Sequence, residues 1–154
     1  MKFLVPIVFL ALLGLVACKK ENKLPKVPHI SSLSVGPTTV KQGSNKDSIA
    51  ITFRFQDGDA DLGVEQAPGS NDIYMTSSNP AMPDFNGYLP DIPEEMKDPD
   101  KGFEGTATVI VSAAFLPIED SLRNADTFHY EIYIKDRAGN ESNRLITPDI
   151  YVVR

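Results

Sequence analysis

Ser48–Gln56 reads S-I-A-I-T-F-R-F-Q, and its strict alternation decides the fold class. Ile49, Ile51, Phe53 and Phe55 fall on one side of an extended chain, and Ala50, Thr52, Arg54 and Gln56 on the other. A period of two with β-branched and aromatic residues on the apolar side is the pattern of a half-buried strand. Thr127–Lys135, T-F-H-Y-E-I-Y-I-K, repeats it, with Phe128, Tyr130, Ile132 and Ile134 inward and Thr127, His129, Glu131 and Tyr133 outward. Outward from these two, Ile30–Val35 reads as an opening edge strand stopped by Gly36-Pro37. Asp72–Ser77 and the β-branched run Gly105–Ala114 follow, and Leu145–Val153 closes the chain. Pro148 inside that last segment cannot donate to a ladder, which predicts an edge position or a bulge. No stretch carries a helical stripe. About seven short strands separated by turn residues predict an all-β, antiparallel β-sandwich.

Asn79–Lys101 carries Pro80, Pro83, Pro90, Pro93 and Pro99 among acidic residues, too many prolines for a helix or a central strand. It reads as a long loop within the domain spanning residues 30–154. Phe85, Tyr88, Leu89 and Ile92 predict partial packing on the sandwich and a short edge strand near Tyr88. Lys19–Pro28, K-K-E-N-K-L-P-K-V-P, reads as a solvated spacer, so residues 18–29 form a tether before the domain.

Residues 1–17 form a different unit. Lys2 precedes F-L-V-P-I-V-F-L-A-L-L-G-L-V-A, a run too short and too interrupted by Pro6 and Gly14 for the roughly 20 apolar residues of a bilayer span. The order of basic residue, apolar run and small-residue boundary is that of a secretory signal peptide. Leu15-Val16-Ala17-Cys18 resembles the lipobox of bacterial lipoproteins, whose cysteine becomes the lipidated N-terminus. Cys18 is the only cysteine, so no internal disulfide exists to claim it. The resemblance implies a covalent lipid on Cys18 and attachment to a membrane through acyl chains rather than a helix. Lys19, where an aspartate would signal inner-membrane retention, implies the outer membrane, with the periplasmic and cell-surface sides both open.

The whole chain is net −6, and cleavage would remove Lys2 and make it more acidic still. That balance argues against a nucleic-acid partner, which calls for a basic footprint. Phe55–Gly63, F-Q-D-G-D-A-D-L-G, concentrates the acid as Asp57, Asp59 and Asp61. Alternate carboxylates with glycines between them can wrap a calcium ion. An EF-hand is excluded, because Leu62 stands at the glycine position and Pro68 at the bidentate glutamate position. In an exposed loop, carboxylates 6–7 Å apart repel by only about 0.6 kcal/mol, so a solvated acidic turn is the other reading.

Lys135–Asn143, K-D-R-A-G-N-E-S-N, after an alternating strand, resembles the penultimate hairpin of bacterial immunoglobulin-like and fibronectin type III-like domains. The Asp-rich segment after the early strand resembles one common in small Bacteroidota lipoproteins. An immunoglobulin-like sandwich would place these two loops at one pole, so Asp136 and Asn140 are expected to join Asp57, Asp59 and Asp61 as calcium ligands.

Support for catalysis is thin: the two histidines are His29, beside the tether, and His129, on a polar strand face, and no G-x-S-x-G elbow is present. The expected function is a non-catalytic structural or binding module of the cell envelope. A glycan- or protein-binding accessory of a surface uptake system is the alternative, with Phe85 and Tyr88 as candidate ligand contacts, and a hydrolase is third. Replacing Cys18 by serine is expected to move the protein from the membrane to the soluble fraction; unchanged membrane fractionation would contradict lipid anchoring.

Overall fold

The computed structural model describes residues 23–63, 71–90, 92–96, 101–120 and 122–154. The strands are β1 (His29–Gly36), β2 (Thr39–Lys41), β3 (Ser48–Asp57), β4 (Ile73–Ser77), β5 (Phe85–Gly87), β6 (Phe103–Ser112), β7 (Ala125–Phe128), β8 (Tyr130–Ile134), β9 (Leu145–Ile146) and β10 (Ile150–Val153). Cys18 and the signal segment lie outside the described residues.

β3 is the centre of the first layer, flanked by β1 and β6 in antiparallel ladders. The β3–β6 register runs without a bulge from Ser48 opposite Ser112 to Asp57 opposite Phe103. Gly105 makes room in this ladder, because a Cβ there would press on the Phe55 ring at 2.7 Å.

The second layer has the order β5-β4-β8-β9 and continues as β7-β10-β2. Only His129 separates β7 from β8, and Thr147–Asp149 separate β9 from β10. Pro148 falls in this interruption, where it has no amide hydrogen to offer a ladder. The break is closed locally: Thr147 Oγ1 accepts the Tyr130 N–H, and the Thr147 N–H donates to the Tyr130 carbonyl, both at 2.9 Å. After Gly36-Pro37 the first strand changes layers, and β2 pairs in parallel with β10. Counting each interrupted strand once gives seven, in the immunoglobulin-like arrangement expected.

The apolar faces read from the alternation meet between the layers. Ile49, Ile51, Phe53 and Phe55 are buried against Phe128, Tyr130, Ile132 and Ile134 in one core. Tyr130 is its hub, edge-on to Phe128 with ring centroids 5.1 Å apart and to Phe85 at 6.0 Å. Its hydroxyl donates to the Pro83 carbonyl, so the buried phenol is satisfied and the proline-rich loop is fastened to the core.

Three elements differ from the sequence reading. β2 was not expected, because three residues carry no readable period. β3 continues one residue past Gln56, to Asp57. Residues 23–28 pack on the domain rather than standing off as a spacer: Pro28 is buried, and a Cβ on Gly58 would overlap the carbonyl oxygens of Leu24 and Pro25.

Phe53→Ala removes a fully buried ring from the middle of β3 and is expected to destabilise the domain by about 3–5 kcal/mol. A lowered urea midpoint with an unchanged slope checks this.

Candidate metal centre

Asp57 is buried because it obeys the same alternation as the core. Inward residues of β3 are 49, 51, 53 and 55, and the next in register is Asp57, which is 0% exposed. A strand that packs four apolar side chains inward thus delivers a carboxylate to the edge of the same interior.

The turn after β3 then folds back over it. Ala60 takes a left-handed conformation with φ 56°, and Leu62 inserts into the core with no exposure. This brings the Asp61 and Leu62 N–H groups to Asp57 Oδ2 at 2.9 and 3.3 Å. Asp61 Oδ2 in turn accepts the Ala138 N–H at 3.1 Å, and the Asp61 carbonyl accepts the Arg137 N–H. Arg137 Nε donates to the Gly63 carbonyl at 2.7 Å, so the 57–63 turn and the 135–143 hairpin are docked at one pole. Asp59 Oδ2 faces Lys26 Nζ at 3.8 Å, which joins the tether to the same place.

The three aspartates converge. One oxygen of each lies within 4.8 Å of the others. Oδ1 of Asp57, of Asp59 and of Asp61 is shielded from solvent and has no hydrogen-bond donor among the described residues. Burial, followed by Asp61 and Asp59, pushes the Asp57 carboxyl up to about 7. Burial, Asp136 and Asp59 raise Asp61 as well, against opposing hydrogen bonds from the Ala138 N–H and the Asp57 carboxyl. Carboxylates this close and this buried are outside the aqueous regime; at an effective dielectric of 20, a charged pair 4.8 Å apart repels by about 3.5 kcal/mol.

Asp136 and Asn140 reach the same pole in a different role. Asp136 Oδ1 accepts the Asn140 N–H and its Oδ2 accepts Asn140 Nδ2, both at 2.7 Å. Asp136 is near enough to raise Asp61, yet its two oxygens are engaged in holding the hairpin turn. The structure therefore brings three of the five residues into one cluster and sets the other two behind it as supports.

Phe85 and Tyr88 also diverge. Phe85 packs on Tyr130, whereas Tyr88 stands at the mouth of an apolar cavity of about 400 Å³ between β6 and the 88–96 segment. Phe55, Ile73, Leu89, Ile92, Met96 and Phe103 also line it. On the outer sheet face, Tyr74 stacks on Tyr133 at 4.9 Å, and Arg144 lies 4.2 Å over the Tyr133 ring, so these rings are engaged with each other. His129 Nδ1 meets Asp149 at 3.5 Å; Ser78 Oγ beside them accepts the His129 main-chain N–H at 2.9 Å.

Asn143 was overlooked in the sequence. Its side-chain amide donates to the Ile30 carbonyl and accepts the Ile30 N–H, both at 2.9 Å, imitating a ladder partner for β1. Its place at the end of K-D-R-A-G-N-E-S-N was the available signal.

No protein-family model and no curated protein matches the chain. Among solved structures it is similar to a Niemann-Pick type C2 protein from Japanese carpenter ant, at 10% identity and a TM-score of 0.40, covering 83% of this chain and 94% of that one. A likeness of that degree carries nothing about ligand or activity.

With metal chelated, the folded Asp57 carboxyl holds its proton more tightly than the unfolded one. Its contribution is then fully present below about pH 4 and lost as pH rises through about 7. Asp57→Asn is expected to gain stability relative to wild type across that window, read from urea unfolding at several pH values; a constant gap would contradict the burial of an unpaired carboxyl.

Proposed function

We propose that the chain is a lipoprotein anchored through Cys18 to the outer membrane and that its sandwich is a non-catalytic binding module, with the apolar cavity beside β6 as the ligand site. The lipobox residues support the anchor. Cys18 and Lys23 are five positions apart, which limits the distance between anchor and packed chain to about 18 Å. Such a domain works close to the membrane surface.

The cavity is the observation that carries the binding reading. Apolar, partly open cavities of this size are the usual form of small ligand sites. Its rim holds Tyr88 and Met96, 54% and 56% exposed, in a segment with Pro90 and Pro93. Its wall includes residues 105–108 of β6, whose ladder neighbour among the described residues is β3 alone. A strand edge with no ladder partner among the described residues offers main-chain donors and acceptors that another extended main chain can match. Apolar lining beside such an edge favours an extended, apolar protein segment over a sugar. The engagement of Tyr74, Tyr133 and Phe85 with internal partners lowers the glycan alternative further. A non-catalytic role is in keeping with the cavity lining, whose described residues carry no titratable side chain besides the phenol of Tyr88.

Peptides enriched from a random-sequence display library on the mature protein are expected to bind wild type and to lose at least tenfold in affinity for Tyr88→Glu. Enrichment on a glycan array without peptide binding, or peptide binding indifferent to Tyr88→Glu, would contradict this assignment.

A further inference from the structure

We propose that Asp57, Asp59 and Asp61 bind one hard divalent cation, calcium by the chemistry of the donor set, and that this ion clasps the tether and the 135–143 hairpin to the end of β3. The inference is independent of the lipid anchor and of any ligand in the apolar cavity.

A cluster of acids alone would not carry it. The deciding observation is how each carboxylate is divided. Asp57 Oδ2 accepts two backbone N–H groups, Asp59 Oδ2 faces Lys26, and Asp61 Oδ2 accepts the Ala138 N–H. The other oxygen of each is Oδ1, and all three Oδ1 atoms are buried and unpartnered. Asp57 is the strongest case, since its side chain is wholly enclosed and one of its oxygens still has no donor. Buried acceptors are nearly always satisfied by a protein group, water or an ion. Here three of them belong to carboxyl groups sharing one place, and a single divalent cation can satisfy all three together where one shared proton satisfies only a pair.

The donor set selects the class of ion. Among the described residues it contains only carboxylate oxygens, with no imidazole or thiolate to favour zinc or copper. Oxygens within 4.8 Å of one another can share an ion at the 2.3–2.6 Å of calcium bonds. Magnesium, which keeps several of its waters, suits oxygens shielded from solvent less well.

Three chain segments meet around these carboxylates. Leu24 and Pro25 lie on Gly58, Lys26 pairs with Asp59, and Ala138 bonds Asp61. Removing the repulsion among the carboxylates would therefore steady the turn against Leu24 and Pro25 on one side and Ala138 on the other. The ion would hold the 57–63 turn, on which both the tether and the hairpin rest.

The test uses the full mature chain, stripped with a chelator and returned to chelator-free buffer at pH 7.5. Titration calorimetry with calcium chloride is expected to show one ion per chain with a Kd below about 1 mM. The melting temperature should rise by about 5–10 °C at saturation. Asp57→Asn should fold, melt no lower than metal-free wild type and lose at least tenfold in calcium affinity. Asp136→Asn should keep its affinity within about threefold, because both Asp136 oxygens belong to Asn140. Bound calcium should slow amide exchange at Asp61, Leu62 and Ala138. Absence of saturable heat together with an unmoved melting temperature at 10 mM calcium overturns the site. Unchanged affinity in Asp57→Asn overturns the ligand assignment, and unchanged exchange at the three amides overturns the clasp.

Discussion

The constraint on which the rest of this structure depends is the inward register of β3. Five consecutive inward positions run Ile49, Ile51, Phe53, Phe55 and Asp57. The first four supply one side of the core, and the fifth carries a charge into its margin. Neither half can be changed without the other, because a slip of one residue would turn every one of these side chains to the opposite face. The stability of the sandwich and the chemistry of its pole are consequences of one strand being held in one register. The ladder to β6, ten pairs without a bulge, is what holds it.

From that strand the pole is assembled by local means. The left-handed turn at Ala60 returns the backbone over Asp57, and the buried Leu62 keeps it there. Arg137 and Ala138 then bind the turn from the hairpin side, while Asn140 occupies Asp136. The hairpin is thus rigid at its own tip and attached at its flank. Asn143 extends the attachment to β1, far away in sequence, through a pair of hydrogen bonds that copies a strand. The outcome is a domain whose first strand and 135–143 hairpin are joined near the place where three carboxylates meet.

Much of this fold is legible in the residues, because its two central strands alternate without exception and their inward side chains are all in the core. The interruption at Pro148 follows from a missing amide hydrogen, and the short strand Phe85–Gly87 was foreshadowed by apolar residues in a proline-rich loop. β2 was not legible, since three residues pairing in parallel with a strand over a hundred positions away leave no local trace. The packing of residues 23–28 was hidden for a related reason: K-K-E-N-K-L-P-K-V-P is solvated by composition, and only the missing Cβ of Gly58 lets it approach. The acid cluster was legible as a motif, and Asp59 and Asp61 do lie in the turn, but Asp57 was assigned there too because the period-two count stopped at Gln56. Carried one step further, it places Asp57 inside. The expected roles of Asp136 and Asn140 rested on topology, which brings loops to a pole but does not say which way their oxygens face.

The central claim is that the interior end of β3 is completed by a cation. A crystal structure of the protein grown with millimolar calcium tests it most directly. The proposed site requires one strong density peak 2.3–2.6 Å from oxygens of Asp57, Asp59 and Asp61, with Asp136 still bonded to Asn140. Carboxylates hydrogen-bonded to one another or to water, with no peak among them, would contradict it.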